Sequence, residues 1–322
     1  MIKRRILGES DLSVSEIALG TMYFGRREPK EESIKRLDSY FFLGGNFIDT
    51  ANVYTRREAE GLDLYGKDFD KFSDGASERL IGAWIKENKN RDKIALATKV
   101  GFAYPGIEIG TSKKQIKEEC EKSLLRLGTD YIDLYYLHLD DKNTPLAESL
   151  GAMDELVREG KIRYIGLSNF TPERLIEAVS LSKKMGLSKI CAIQNKGTYL
   201  KPSPDANFGR QVPLCDGMLS LCDELSVTPI AYSPLIKGYY GNRNKPLPEQ
   251  YVTPENKDRI ARLDALAKEL GVTPTQLAYA YLLRGKSPVI PIVAASNSQQ
   301  FSEAVGALDI ELSDDIIEKL NK

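Results

Sequence analysis

Histidine is nearly missing from this chain, which has one among 322 residues, along with one tryptophan and four cysteines. A single imidazole cannot supply the paired histidines that zinc sites favour. Cys120, Cys191, Cys215 and Cys222 fall at spacings that match neither a CxxC redox pair nor a cysteine-based zinc site. The thiols therefore read as reduced, and no metal is expected. Neither charge sign is in excess, with 45 Lys and Arg against 46 Asp and Glu, and no long run of one sign occurs. Nucleic acid and membrane surfaces are bound through such a bias, so the expected partner is a small molecule. No apolar stretch approaches the roughly twenty residues of a membrane span, and the basic start MIKRRILGESDL has no apolar core behind it. A cytoplasmic protein without leader or anchor is the expectation. There is no GxGxxG after a strand candidate, no internal repeat and no low-complexity linker.

Short apolar strand candidates alternate with amphipathic helical stretches along nearly the whole chain. In order the strands are EIALGT (16 to 21), NFIDTA (46 to 51), IALATKV (94 to 100), YIDLYYLH (131 to 138), IRYIGLSN (162 to 169), CAIQN (191 to 195), PIAYSP (229 to 234) and VIPIVA (289 to 294). Helix starts are signalled by Ser77-Glu78, by Thr111-Ser112, and by TPER at 171 to 174 with its proline at the first helical position. Eight strands with seven intervening helical segments predict a closed (β/α)8 TIM barrel, a single domain over residues 1–322. Alternation around Gly8-Glu9-Ser10 predicts an N-terminal β-hairpin before the barrel, and SDDIIEKL predicts a terminal helix. Composition shifts at 52 to 76, 196 to 212 and 235 to 253, each between a strand and the next helix. These are long loops at the C-terminal face, where barrels bind ligands.

Four proton-handling side chains converge on that face. Asp49, Lys99 and His138 end three successive strands, and Tyr54 follows in the loop after the first of them. Singly, each has an ordinary reading: an Asp at a strand end caps a turn, a lone His is a hydrogen-bonded structural residue, and a Lys or Tyr near a surface is solvated. Together they suit one chemistry. A carbonyl receiving hydride develops negative charge on oxygen and needs a proton, which a tyrosine hydroxyl can supply. Lys99 is expected to lower the pKa of Tyr54 from its usual value near 10, Asp49 to hold Lys99 charged, and His138 to orient the carbonyl oxygen.

With these residues placed, the sequence resembles the aldo-keto reductases over essentially its full length. The resemblance rests on GGNFIDTANVY (44 to 54), ASERLIGAWIK (76 to 86), LATKVG (96 to 101), YIDLYYLH (131 to 138), IRYIGLSNF (162 to 170), AYSPL (231 to 235) and PTQLAYAYLL (274 to 283), in this order. It implies metal-free reduction of an aldehyde or ketone with NADP or NAD, or the reverse oxidation of an alcohol, with Asp49, Tyr54, Lys99 and His138 as the catalytic tetrad. It further implies that Ser168, Asn169 and Gln194 hold the nicotinamide carboxamide and that Tyr232 stacks on the ring, roles that amides, a hydroxyl and an aromatic face suit. A helix N-cap at Asn169 or Thr171 is the other reading of SNF, and the two can coexist. For the cofactor phosphates the segments are 233 to 243 and 294 to 304, with Ser233, Leu235, Gly238 and Arg243 as candidates in the first and Ser296, Gln300 and Glu303 in the second. The second departs from the family pattern: no Lys or Arg occurs from Ser287 to Asp315, so a 2'-phosphate would meet no cation there unless Arg243 or Lys245 reaches across.

The loop TRREAEGLDLYGKDFDKFSDG (55 to 75) is rich in polar groups, which reads either as a solvated excursion or as a rim suited to a hydroxylated carbonyl substrate. Two further functions use the same residues. A cofactor-binding sensor subunit would keep the tetrad with slow turnover, and an aldolase would use Lys99 as a Schiff-base nucleophile. Oligomeric state does not follow from the sequence.

Overall fold

A computed structural model of the chain describes residues 1–25, 28–54, 75–104, 106–295 and 297–322. Two short antiparallel strands, β1 (Arg4–Ile6) and β2 (Ser13–Ser15), form the hairpin. The barrel strands are β3 (Ala18–Gly20), β4 (Phe47–Asp49), β5 (Ala95–Val100), β6 (Ile132–Leu137), β7 (Ile162–Ser168), β8 (Ile190–Lys196), β9 (Thr228–Tyr232) and β10 (Ile290–Val293). All eight pair in parallel, and β10 closes the ring on β3. Every residue of β5 and β6 is buried. That is why their sequences read as continuous apolar runs: parallel strands lie between the barrel interior and the outer helices.

Side chains fill the barrel. Ala18, Phe47, Ala97, Leu134, Tyr136, Ala192, Ile230 and Ile292 pack together inside, and Leu7 and Val14 from the hairpin close the N-terminal end. Gly8 turns with φ +47° there, and a Cβ on it would stand 2.6 Å from the Cys191 carbonyl oxygen, so only glycine fits. Its N–H donates to Thr228 Oγ1 at 2.7 Å, fastening the hairpin to the barrel floor.

The surrounding helices are α1 (Lys30–Phe42), α2 (Ala76–Asn88), α3 (Lys113–Leu127), α4 (Leu146–Arg158), α5 (Pro172–Met185), α6 (Asp216–Leu225), α7 (Pro254–Glu269), α8 (Pro274–Arg284), α9 (Ser298–Gly306) and α10 (Asp314–Asn321). Ser112 and Thr171 cap α3 and α5 as their sequences predict, by accepting the N–H groups of Gln115 and Arg174. The Ser77-Glu78 signal is different. Helix α2 starts behind Gly75 with no side-chain cap, and Ser77 instead donates to the Thr21 carbonyl at 3.0 Å, while buried Glu78 accepts from Arg126 and Thr98. Those polar residues tie α2 to neighbouring elements, a job that local sequence does not distinguish from capping.

Two helices, α7 and α8, lie between β9 and β10 where one was expected. With α10 they form a second core around Leu263, Leu277, Ile316 and Leu320, into which Tyr199, Tyr240 and Tyr251 insert from the long loops after β8 and β9. Buried Arg259 donates to the Tyr199 carbonyl at 2.9 Å and lies 4.3 Å from the Tyr199 ring. Both loops are thereby anchored over the C-terminal end of the barrel. Among the described residues no helix is long and apolar enough to cross a membrane.

Candidate active site

Lys99 is the centre of the mouth and is fully buried. Its ammonium has three protons and meets three acceptors: Asp49 Oδ1 at 2.6 Å, the Thr50 carbonyl at 2.6 Å and the Tyr54 hydroxyl at 3.4 Å. Asp49 Oδ2 accepts from Gln194 Nε2 at 2.8 Å. Both oxygens of Asp49 are thus acceptors; burial pushes its carboxyl pKa up, against the pull of Lys99 and the Gln194 bond. Burial is the largest influence on Lys99 and pushes its pKa down, but Asp49 and Tyr54 together outweigh it, so the ammonium is held above the ordinary lysine range.

Lys99 acts on Tyr54 in the expected direction, but the net direction of the Tyr54 pKa is the opposite. Lys99 does pull it down, but burial is larger and Asp49 adds to it, so the net direction is upward. Tyr54 stays a neutral phenol. Its oxygen accepts from Lys99, which leaves its own O–H to donate elsewhere.

His138 follows β6 and is buried, with its ring 4.6 Å from Phe102 and 6.2 Å from Tyr54, both edge to face. Burial, and secondarily the charge of Lys99, hold its pKa well below the ordinary value, so the imidazole is neutral. His138 Nδ1 is buried without a partner among the described residues.

Beyond the tetrad the structure groups a second set. Asn169 turns with φ +60°, a conformation asparagine tolerates, and its side chain is saturated. It donates to the His138 carbonyl at 2.9 Å and to Ser168 Oγ at 3.2 Å, and accepts from the Tyr232 hydroxyl at 2.7 Å and the Val212 N–H at 3.3 Å. Ser168 donates to the Gln194 carbonyl at 2.8 Å. Ser168, Asn169, Gln194 and Tyr232 therefore form one cluster, joined through Gln194 to Asp49. Thr171, rather than Asn169, is the helix cap.

The candidates for phosphate binding are more dispersed. Ser233 and Gly238 both adopt left-handed conformations, at φ +57° and +84°, and Leu235 leads into the short helical turn Ile236–Gly238 between them. Arg243 is taken up internally, donating to Asp264 on α7 at 2.5 Å, and Glu303 accepts from Thr273 at the start of α8. The Gln300 N–H bonds to Asn297 in the first turn of α9, and Ser296 lies outside the described residues. Most of the polar loop 55 to 75 lies outside them too.

Sequence reasoning missed several supporting residues. Thr21 donates through both N–H and hydroxyl to the Asp49 carbonyl. Asn195 accepts the Asn169 N–H at 2.8 Å. Asn52 donates to buried Glu119 at 2.8 Å, tying the turn that carries Tyr54 to α3. Two adjacent amides, Gln194 and Asn195, at one strand end were the available signal for the second of these.

A parallel barrel with a buried Lys–Asp pair and a tyrosine at its mouth defines a class, and comparison places the chain within it. The chain belongs to the aldo/keto reductase family, whose model matches residues 16–322. It is thus of an oxidoreductase family that acts on small carbonyl compounds. It is similar to aldo-keto reductase str7 of Strobilurus tenacellus, 30% identical over 99% of this chain and 90% of that protein. It is also similar to norsolorinic acid reductase stcV of Emericella nidulans, 30% identical over 95% of this chain and 77% of that protein. Uncharacterized oxidoreductase YrpG of Bacillus subtilis is 29% identical, over 98% of this chain and 94% of its own length.

Proposed function

We propose that this chain, acting as one domain, reduces an aldehyde or ketone to an alcohol, or catalyses the reverse, with NADP or NAD as cofactor and Tyr54 as proton donor. The observation that carries the reading is the three-way bonding of the Lys99 ammonium, which spends one proton on the Tyr54 oxygen and leaves the Tyr54 proton unspent. Transfer of that proton to a substrate oxygen leaves a phenolate next to Lys99, which stabilises it. Neutral His138 orients the same oxygen. Its Nδ1 is buried and without a partner among the described residues, a hydrogen-bonding capacity left for a ligand.

The donor set fits a nicotinamide dinucleotide, whose chemistry when bound is hydride transfer. The Gln194 amide is held on Asp49, Ser168 and Asn169 adjoin it, and Tyr232 offers its ring. Ser233, Leu235 and Gly238 would meet the phosphates. Asn169 would exchange its Tyr232 contact for the ligand. A Schiff-base role for Lys99 needs a neutral amine, whereas here its pKa is raised and the ammonium lies 2.6 Å from Asp49.

The test is Tyr54→Phe. Turnover is expected to fall by roughly 100-fold or more, with the dissociation constants of NADPH and NADH, read by fluorescence titration, within about twofold of the parent. Equal loss of cofactor binding would remove Tyr54 from the proton-donor role. Failure of the parent protein to bind either dinucleotide would remove the reductase reading itself.

A further inference from the structure

Lys196 is the last residue of β8, two positions beyond Gln194. Residues two apart on a strand share a face, roughly 6.6 Å apart. Ala192 packs inside the barrel and Gln194 reaches Asp49 there, so Lys196 stands in the same inward column, one layer closer to the mouth. Its Cα pairs with that of Tyr232 across the β8 and β9 ladder.

This lysine is half-buried, with the Phe208 ring 5.6 Å and the Tyr232 ring 5.8 Å from its ammonium. Among the described residues no carboxylate lies within ion-pair reach. The ammonium meets only the Gln211 amide oxygen, at 3.3 Å. Its pKa is pushed down by burial first and by repulsion from another cation, Lys237, second. By contrast, fully buried Lys99 has Asp49, and Lys161 has Glu121 and Glu159. A half-buried cation costs free energy unless an anion joins it, and among the described residues none does.

We propose that Lys196 docks an anionic group, a carboxylate or a phosphate, carried by the carbonyl substrate. This rests on the reductase reading and narrows it to acidic carbonyl compounds. The aromatic rings on either side confine the ammonium, and Tyr232 links this subsite to the cluster around Asn169. The phosphates of the dinucleotide are the other source of such an anion, and kinetics separates the two.

The experiment compares 4-carboxybenzaldehyde with 4-nitrobenzaldehyde as substrates for the parent, Lys196→Met and Lys196→Arg. Thermal shifts with terephthalate, a dicarboxylate with no aldehyde, provide a readout independent of turnover. For Lys196→Met, KM for the carboxylated aldehyde is expected to rise roughly tenfold or more, with KM for the nitro compound and the NADPH dissociation constant within about twofold. Lys196→Arg retains most of the discrimination, and terephthalate stabilises the parent but not Lys196→Met. An unchanged ratio between the two aldehydes overturns the proposal, and so does a tenfold weaker NADPH with that ratio unchanged, which assigns the charge to the cofactor. If the parent reduces neither aldehyde, the reductase reading fails separately. Terephthalate stabilisation that depends on Lys196 would then still uphold the anion site, and its absence would overturn it.

Discussion

Gln194 on β8 donates to Asp49 on β4 at 2.8 Å, across the full width of the barrel, since the two strands lie four places apart in a ring of eight. The bond fixes the free oxygen of the carboxylate that holds Lys99. It also connects the Ser168 and Asn169 cluster to the tetrad, so each set orients the other.

Gln194→Glu tests this bridge with almost no change of shape. A second carboxyl would then face Asp49, and two buried like charges hold one proton between them, raising the folded-state pKa of the pair. The sign follows: the variant approaches parental stability at acid pH and loses ground as pH rises above the unfolded carboxylate value of about 4.3. Urea unfolding at a series of pH values reads this, and a penalty independent of pH would rule out the direct contact.

His138 is the only histidine in the chain, which makes its titration unusually separable. Its folded pKa lies well below the unfolded value of 6.5, so the unfolded chain binds a proton that the folded one refuses. Stability contributed by the neutral imidazole is complete above that value and declines as pH falls through it, by about 1.4 kcal/mol per pH unit. The difference in unfolding free energy between the parent and His138→Asn is expected to shrink with that slope between pH 6.5 and 5. A constant difference would mean that His138 is protonated in the folded protein.

Breaking the buried pair at one end should cost more than removing it. Asp49→Asn leaves the Lys99 ammonium without its counter-charge and is expected to destabilise the fold by roughly 3–5 kcal/mol. The double variant Asp49→Asn, Lys99→Met should recover part of that loss, as measured by a double-mutant cycle in urea. Strict additivity would show that the two groups do not interact.

Gly166 touches the same site from below. A Cβ on it would lie 2.5 Å from two ring atoms of Tyr136, whose ring packs 5.8 Å from Lys99. Gly166→Ala is expected to destabilise by roughly 1–3 kcal/mol. Adding Tyr136→Leu should relieve most of the strain, and thermal unfolding of the two variants checks it.

The barrel was readable from the chain itself because parallel strands buried on both faces are written as short apolar runs, and α3, α5 and α10 announce their starts with Ser112, Thr171 and Ser313. The convergence of the proton-handling side chains was readable because barrel strand order places neighbouring strand ends together, so Asp49, Lys99 and His138 could be assigned to one mouth by counting. Other features depended on side chains far apart in sequence. Helix α7 and its core under the long loops, Ser77 serving as a contact and not a cap, and Arg243 committed to Asp264 are all of this kind. So is the direction of the Tyr54 pKa, because it is a difference between desolvation and the pull of Lys99, and desolvation exists only once the chain has closed around the ring. Sequence determined which groups reach the mouth; tertiary structure decided which of them face one another in low dielectric, where a few ångströms set both charge state and partner.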